Sequence, residues 1–395
     1  MHHNSTRPCP VCLATKVTLL HKMDFELPAT SPLPRQYAVV FCLACGMVYA
    51  DGLAKQQDYD LYYEQFSKYE DAKTASGGGY TMADRARLDG MAAFLAKHLA
   101  MSDSIVDIGC ANGGLLETLS GRGFTQLTGI DPSPASVRHI QQRGFQGLAL
   151  KISDLNKSTV GKFHGIVLSH VMEHVFDVAM AMKSIGALLD EGGLLYIEVP
   201  NASEYASHYV VPYYYFDAEH INHFDCHALE NLAGLHGFEV VDKGEKTIPA
   251  SSSVDYPAVY VLLRKQLNLD SYCQVKFSAH LESRIRQYIS MSEQDDRLDI
   301  INDYAASGNC VILWGAGSYT QRLLATTKLK ECNIVAIVDG DSKKQGLEIH
   351  SIPIQDPAVI RQKEGVILIS AALYAEEIKK DILAMGLKNE VKVLG

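Results

Sequence analysis

Four cysteines in this chain fall into two tight pairs, Cys9/Cys12 in "CPVC" and Cys42/Cys45 in "CLACG". Each C-x2-C knuckle can place two thiolates on one ion. Four thiolates suit tetrahedral zinc and leave no position for water, so the expected role of Cys9, Cys12, Cys42 and Cys45 is structural. A second chemical signature is "VDIGCANGGLLETLSGRGFTQLTGIDPS", residues 106–133. Its glycines follow a strand-like run, and an acid, Asp131, comes some twenty residues later. A third is the stretch "YYYFDAEHINHF", where Tyr213 to Tyr215 precede Glu219, His220 and His223. Acid and imidazole groups close together are candidates for proton transfer. His220, His223 and His227 are not read as a metal set.

The glycine spacing is G-x-x-x-G-G. A phosphate-binding P-loop needs Lys and Ser or Thr after its last glycine, and neither is present. A dinucleotide loop needs G-x-G-x-x-G, which is also missed. The surroundings read as alternating strands and helices. "SIVDIG", "LTGID", "GIVLS" and "LLYIEV" are short apolar runs suited to buried parallel strands, with helical patterns such as "VAMAMKSIGALLDEG" among them. This predicts an α/β doubly wound sheet over residues 76–265. "FEVVDKGE" and "YPAVYVLLRK" have no helix between them and are expected as an antiparallel pair at the sheet edge. Residues 1–75 form the cysteine ribbon and a tyrosine-rich tail, "DYDLYYEQFSKYE". From Val275 onward, Phe277, Leu281, Ile285, Tyr288 and Ile289 fall at helical spacing, followed by Leu298, Ile301 and Tyr304, which predicts one or two linking helices. After Gly308 a second, smaller α/β set begins, so residues 266–395 hold linking helices and a Rossmann-like domain.

The formal net charge is −10 and 47% of residues are apolar. No basic run is long enough to track a phosphate backbone, which argues against nucleic acid as a partner. Apolar runs are strand-length rather than bilayer-length, and the N-terminus lacks the regions of a signal peptide. The expectation is a soluble, cytoplasmic protein with no membrane partner. Oligomeric state is not legible.

The glycine loop resembles motif I of class I S-adenosylmethionine (SAM) methyltransferases. "FHGIVLSHVMEHVFD" resembles that family's fourth-strand segment, although His164 stands where it has Asp. "EGGLLYIEVPN" resembles its fifth strand. The resemblance implies SAM as cofactor, held by Asp107, Gly109, Cys110, Asn112, Gly113, Asp131, Pro132, Asp154, Ser169 and His170. Asp131 would accept hydrogen bonds from the ribose hydroxyls, and Asp154 would face the adenine amino group. Glu173 and His174 are read as capping and packing residues at a helix start.

The order of ribbon, SAM domain, acid–histidine loop and C-terminal α/β domain resembles the zinc-containing sugar C-methyltransferases, which act on nucleotide-linked keto-deoxysugars. That group carries Tyr-His-Glu-His after its fifth strand, and here the aligned residues are Asp217-Ala218-Glu219-His220. The resemblance implies His220 as the base, assisted by Glu219 and His223. Substrate contacts are expected from Tyr69, Tyr80, Asn201 and Tyr215. Gly315 and Gly317, in "LWGAGSYTQRLL", are expected at a nucleotide diphosphate. A working nicotinamide site is not expected, because Thr320 replaces the third glycine of that fingerprint. The alternatives are O- or N-methylation of a sugar or another metabolite, and a SAM-binding scaffold without chemistry.

Overall fold

The computed structural model describes residues 2–53, 55–66, 81–156, 160–251, 254–266 and 274–395. Tyr69 and Tyr80 lie outside these residues. The N-terminal ribbon is an antiparallel meander of β1 (His2–Asn4), β2 (Lys16–Asp24), β3 (Gln36–Cys42) and β4 (Val48–Asp51). In β2, Val17 and Met23 are buried, whereas Leu19 between them is exposed beside a register shift in the pairing with β3.

The central sheet is built from β5 (Ser104–Ile108), β6 (Gln126–Asp131), β7 (Gln146–Ala149), β8 (Phe163–Ser169) and β9 (Leu189–Pro200). After β9 come β10 (Asn222–His223), β11 (Phe238–Pro249) and β12 (Asp255–Lys265). The sheet order is β11-β12-β9-β8-β5-β6-β7. The strands β5 to β9 run parallel, and β11 and β12 form the expected antiparallel edge hairpin. The chain winds outward from β5 to β7, then returns to β8 on the other side of β5. Ligands of open α/β sheets bind at such a reversal, beyond the C-terminal ends of the strands.

The third sheet has β13 (Cys310–Trp314), β14 (Asn333–Val338), β15 (Glu348–Ile349), β16 (Ile352–Gln355), β17 (Val366–Ile369) and β18 (Val391–Val393). Its order is β15-β16-β14-β13-β17-β18, parallel except at β15. Two helices, His280–Glu293 and Asp299–Ser307, precede it. Leu281, Ile285, Tyr288 and Ile289 line the buried face of the first, as their spacing requires. Phe277 lies before that helix and is exposed. Among the described residues no helix is long and apolar enough to cross a membrane.

The ribbon does not pack as a separate unit. Strand β10, from the acid–histidine loop, pairs with β4 and becomes the fifth strand of the ribbon sheet. One buried cluster joins Cys9, Cys42, Cys45 and Met47 to Val106, Ile108, Ile166 and Phe224. Another joins Tyr37, Phe41 and Tyr59 to Tyr205, Phe216, Ile221 and Tyr288. A ribbon this small has little core of its own. Here it shares the core of the central sheet and of the loop that follows β9.

Candidate active site

The glycine turn is held open by its neighbours. The Gly109 N–H donates to the Ile130 carbonyl at 2.8 Å, bringing the end of β5 against the end of β6. Gly109 has φ +78°, and a Cβ there would lie 2.5 Å from Val171 Cγ2. Gly113 has φ +80°, and its Cβ would meet Ile140 Cγ2 at 2.5 Å. Both positions therefore demand glycine, for backbone conformation and for space. Ala111 between them also has a positive φ, +44°. The helix Gly114–Gly121 starts directly after the turn, with its N-terminus at the sheet's C-terminal edge.

Asp131 ends β6 and is buried. Its two oxygens accept from backbone: Oδ2 from the Ala111 N–H and Oδ1 from the Ser133 N–H, each at 2.9 Å. The carboxylate thus fixes the turn. Pro132 is half-buried and leads into Ser133, which caps the helix Pro134–Gln142. Asn112 and Cys110 are buried in the turn. Asp107 is buried within β5, and loss of water pushes its carboxyl up to about 7, with Arg87 opposing and Asp131 reinforcing the shift. Asp154 closes a short 3-10 turn after β7 and is exposed.

A network of charges crosses the ends of β8 and β9. Glu198 is fully buried in β9. It pairs with Lys246 of β11, accepts from Tyr196 Oη at 2.6 Å, and lies 3.5 Å from His170 Nε2. Burial disfavours its charge, but His170 and Lys246 outweigh that and hold it well below the usual carboxylate range. His170 follows β8 with φ +56°, a strained conformation for a residue with a side chain. Burial pushes its pKa down, but Glu173 and Glu198 raise it overall, favouring the imidazolium. Ser169 Oγ lies 3.4 Å from Glu198 and 3.3 Å from Arg87.

The acid–histidine loop is pinned to this network and to the ribbon. The turn Met172–His174 follows His170. His174 Nδ1 lies 3.1 Å from the Glu219 carbonyl, and the Ile221 N–H donates to the Glu173 carbonyl at 2.9 Å. Asp217 Oδ1 accepts from the N–H groups of Glu219, at 2.7 Å, and His220, at 2.9 Å. Asp217 therefore sets the tight turn that presents this pair. Glu219 is buried and accepts from Tyr62 Oη at 2.9 Å, whereas His220 is half-buried. His223 is fully buried beside Tyr205 and Phe216, and burial depresses its pKa to about 3, which keeps it neutral.

Several expected substrate contacts sit in packed surroundings. Tyr215 is 1% exposed, stacks on Tyr205 at 4.0 Å, and donates to the His208 carbonyl at 2.7 Å. Asn201 is buried, with its side-chain oxygen accepting from Ser203 and its Nδ2 lacking a partner among the described residues. In the C-terminal domain, the Gly315 N–H donates to the Val338 carbonyl at 2.8 Å and the Ala316 N–H to Asp339 at 2.8 Å. Gly317 is the N-cap of the helix Ser318–Thr326. The device is the same as at Gly109, Ala111 and Asp131: a turn after the first strand tied to an acid after the second. Here Lys344 Nζ already lies 3.1 Å from the acid.

Sequence reasoning misses Arg7 and Tyr62, and reads Glu173 only as a capping and packing residue. Glu173 and His174 were visible in "VMEHV", but capping explained them equally well. Arg7 is buried, yet as a single arginine before a cysteine it gives no signal. It donates to the carbonyl of Phe176 at 2.6 Å and to Asn222 Oδ1 at 2.9 Å, joining the ribbon to both walls of the site.

Residues 81–243 match the family model described as "Methyltransferase domain". Those residues form a methyltransferase domain. Its fold is that of the class I SAM methyltransferases. Residues 308–394 match a model described as "C2185-like, N-terminal". The chain is 25% identical to C-methyltransferase NovU of Streptomyces niveus, across 73% of this chain and 71% of that protein. It is 31% identical to the ubiquinone biosynthesis O-methyltransferase of Methylocella silvestris, across 25% of this chain and 40% of that protein. The chain thus spans less than half the length of that relative. A solved structure, 1,6-didemethyltoxoflavin-N1-methyltransferase of Burkholderia thailandensis, is similar at 20% identity. That match covers 57% of this chain and 97% of the solved one, with a TM-score of 0.42.

Proposed function

We propose that this protein transfers the methyl group of SAM to a carbon of a nucleotide-linked keto-deoxysugar. The observation that carries the reading is the junction of two signatures. Val171 packs on Gly109, and the turn that follows it holds the loop bearing Glu219 and His220. Cofactor turn and acid–histidine pair therefore share one edge of one sheet. The likeness to a C-methyltransferase along most of the chain supports carbon as the acceptor. A shorter likeness to O-methyltransferases supports the second reading, transfer to a hydroxyl.

In the proposed reaction SAM brings the activated methyl group. Asp131 would hold the ribose hydroxyls, and Asp107 would support the cofactor turn. His220 removes the proton next to the substrate ketone. When bound, SAM would supply the methyl group to the resulting enolate carbon and depart as S-adenosylhomocysteine (SAH). Glu219, oriented by Tyr62, holds His220 or a sugar hydroxyl. His223 is fully buried and neutral, which suits a supporting role behind His220 better than direct contact. Gly315 and Gly317 are proposed at the nucleotide diphosphate.

Cys9, Cys12, Cys42 and Cys45 are proposed to hold one structural zinc. Their ligand atoms lie within 4.8 Å of one another, with Cys9 and Cys45 sulfurs 3.5 Å apart and Cys12 and Cys42 likewise. Four sulfurs in that space fit a tetrahedral ion. The functional reading is tested by incubating the protein and methyl-labelled SAM with a pool of nucleotide-linked keto sugars. Mass spectrometry should show a labelled product whose methyl group resists mild hydrolysis. Label only in an ether or amine would overturn the carbon reading, and no label in any product would overturn the substrate class.

A further inference from the structure

We infer that Glu173, His174 and His220 form a binding site for a divalent first-row cation, separate from the four-cysteine centre. Glu173 is 1% exposed, and neither of its carboxylate oxygens has a hydrogen-bond partner among the described residues. A buried carboxylate ordinarily collects several donors, because losing water without replacing it is costly. The nearest nitrogens are histidine nitrogens: His170 Nδ1 at 3.3 Å and His174 Nε2 at 3.9 Å. His170 does not fully account for Glu173, since it also faces Glu198.

The histidines are prepared as ligands. His174 Nδ1 sits 3.1 Å from the Glu219 carbonyl, which can only accept. The ring proton therefore lies on Nδ1, and Nε2 turns a lone pair toward Glu173. Metal-binding histidines are commonly fixed in this way, by a carbonyl on the far ring nitrogen. His220 packs edge-on against His174 at 4.8 Å between ring centres, and its buried Nδ1 has no partner among the described residues. One ligand atom from each of Glu173, His174 and His220 falls within 4.8 Å of the others. Two ligands on one ion, each about 2.1 Å from it, lie at most ~4.2 Å apart. Side-chain shifts of about half an ångström would close the set.

Two imidazoles and one carboxylate suit iron, cobalt, zinc or manganese, and leave positions open for oxygen ligands. An ion here would lie at the same edge as the cofactor turn, where it could take an oxygen of a bound substrate. It would also occupy a ring nitrogen of His220. Cation and proton then compete for that residue, and in the loaded site Glu219 becomes the proton acceptor. Binding of the ion itself does not depend on the methyl-transfer reading.

The test is a Co2+ titration of the full chain with its cysteine centre already filled with zinc, followed by visible absorption and by elemental analysis after desalting. The expected result is one further equivalent of cobalt, with the weak bands of an oxygen–nitrogen site and no thiolate charge-transfer band. Glu173→Gln should weaken its uptake at least tenfold and leave the zinc content unchanged. His220→Asn, at a half-buried position, should do the same if Glu173→Gln fails to fold. No second equivalent, or one that survives in the variant that folds, overturns the site and assigns any cobalt to the exposed His2 and His3. SAH affinity, measured on the same samples, reports separately on the cofactor turn.

Discussion

Replacing Asp131 separates the backbone hydrogen bonds that its carboxylate makes from the ribose contact proposed for it. Its oxygens accept from the Ala111 and Ser133 N–H groups at 2.9 Å each, in buried surroundings. Asp131→Ala leaves both donors without a partner. At about 1–3 kcal/mol for each unsatisfied buried group, the fold should lose ~2–6 kcal/mol, before any effect on ligand. Asp131→Asn keeps one acceptor oxygen and loses the charge, so its loss of stability should be about half as large. Loss of the ribose hydrogen bonds should cost a further ~1–3 kcal/mol of SAH affinity, a factor of about 5–150 in Kd. Thermal unfolding without ligand reads the first effect, and calorimetric titration with SAH reads the second. Both variants should bind SAH weakly, and only the alanine variant should be strongly destabilised. Wild-type SAH affinity in folded Asp131→Asn would refute the ribose role. An unchanged unfolding temperature in Asp131→Ala would refute the account of the turn.

The remaining predictions concern the other three chemical groups. His220→Asn should retain SAH affinity and lose about 10²-fold or more in methyl transfer, the usual scale for a lost general base; an unchanged rate at saturating substrate with raised KM would mean binding alone. Elemental analysis should find one zinc per chain in metal-free buffer-washed protein, and Cys42→Ser should lose it together with part of the cooperative unfolding transition; zinc retained at full occupancy would refute the four-thiolate site. Asp107 has a folded pKa of about 7 against about 3.9 when unfolded, so its neutral form is favoured by folding. That contribution is fully present below about pH 4 and is lost as pH rises through 7, so stability should fall across that range by on the order of a few kcal/mol. Asp107→Asn should flatten this part of the profile; urea unfolding at pH 5 and pH 8 with the same slope in both proteins would refute it.

How much of this was legible in the sequence depends on the range of the interaction. The glycine turn was readable because its requirements are local: a strand, two glycines forced by neighbouring side chains, and an acid one strand later. The edge hairpin was readable because no helix separates its two apolar runs. Cysteine spacing pointed to one metal centre because the two knuckles share a pattern. The role of Asp217 was not readable. At the sequence level Asp217-Ala218 is a departure from Tyr-His, whereas in the fold the aspartate side chain shapes the turn by accepting from the N–H groups of Glu219 and His220. Tyr215, expected from the resemblance at the substrate, stacks on Tyr205 in the fold. Glu173 was read as a cap because nothing in "VMEHV" tells whether a carboxylate meets water or three histidines.

The largest gap concerned the ribbon, and it bears on what the proposed zinc would do. A C-x2-C pair of knuckles suggests an appended module. Here β4 of the ribbon pairs with β10 of the loop, Tyr37 Oη of β3 donates to the Asp217 carbonyl at 2.9 Å, and His21 of β2 stacks on Tyr213 at 4.5 Å. Arg7, two residues before the first cysteine, reaches the carbonyls of Val175 and Phe176 on one wall and Asn222 on the other. Its burial disfavours the charge, and the nearby tyrosines, Cys9 and Asp51 only partly offset this, so its pKa falls to about 10 and it stays a cation at neutral pH. Each of these contacts holds the backbone that carries Glu219 and His220. A side chain misplaced by about 1 Å can cost a hundredfold in rate. Loss of the proposed zinc should therefore lower turnover through geometry, with SAH affinity spared, because Asp131 and the glycine turn take their hydrogen bonds from within the central sheet. Arg7→Met tests this without touching a cysteine. It should keep zinc and SAH affinity while losing methyl transfer, and full activity in that variant would show that the loop holds its shape without the ribbon.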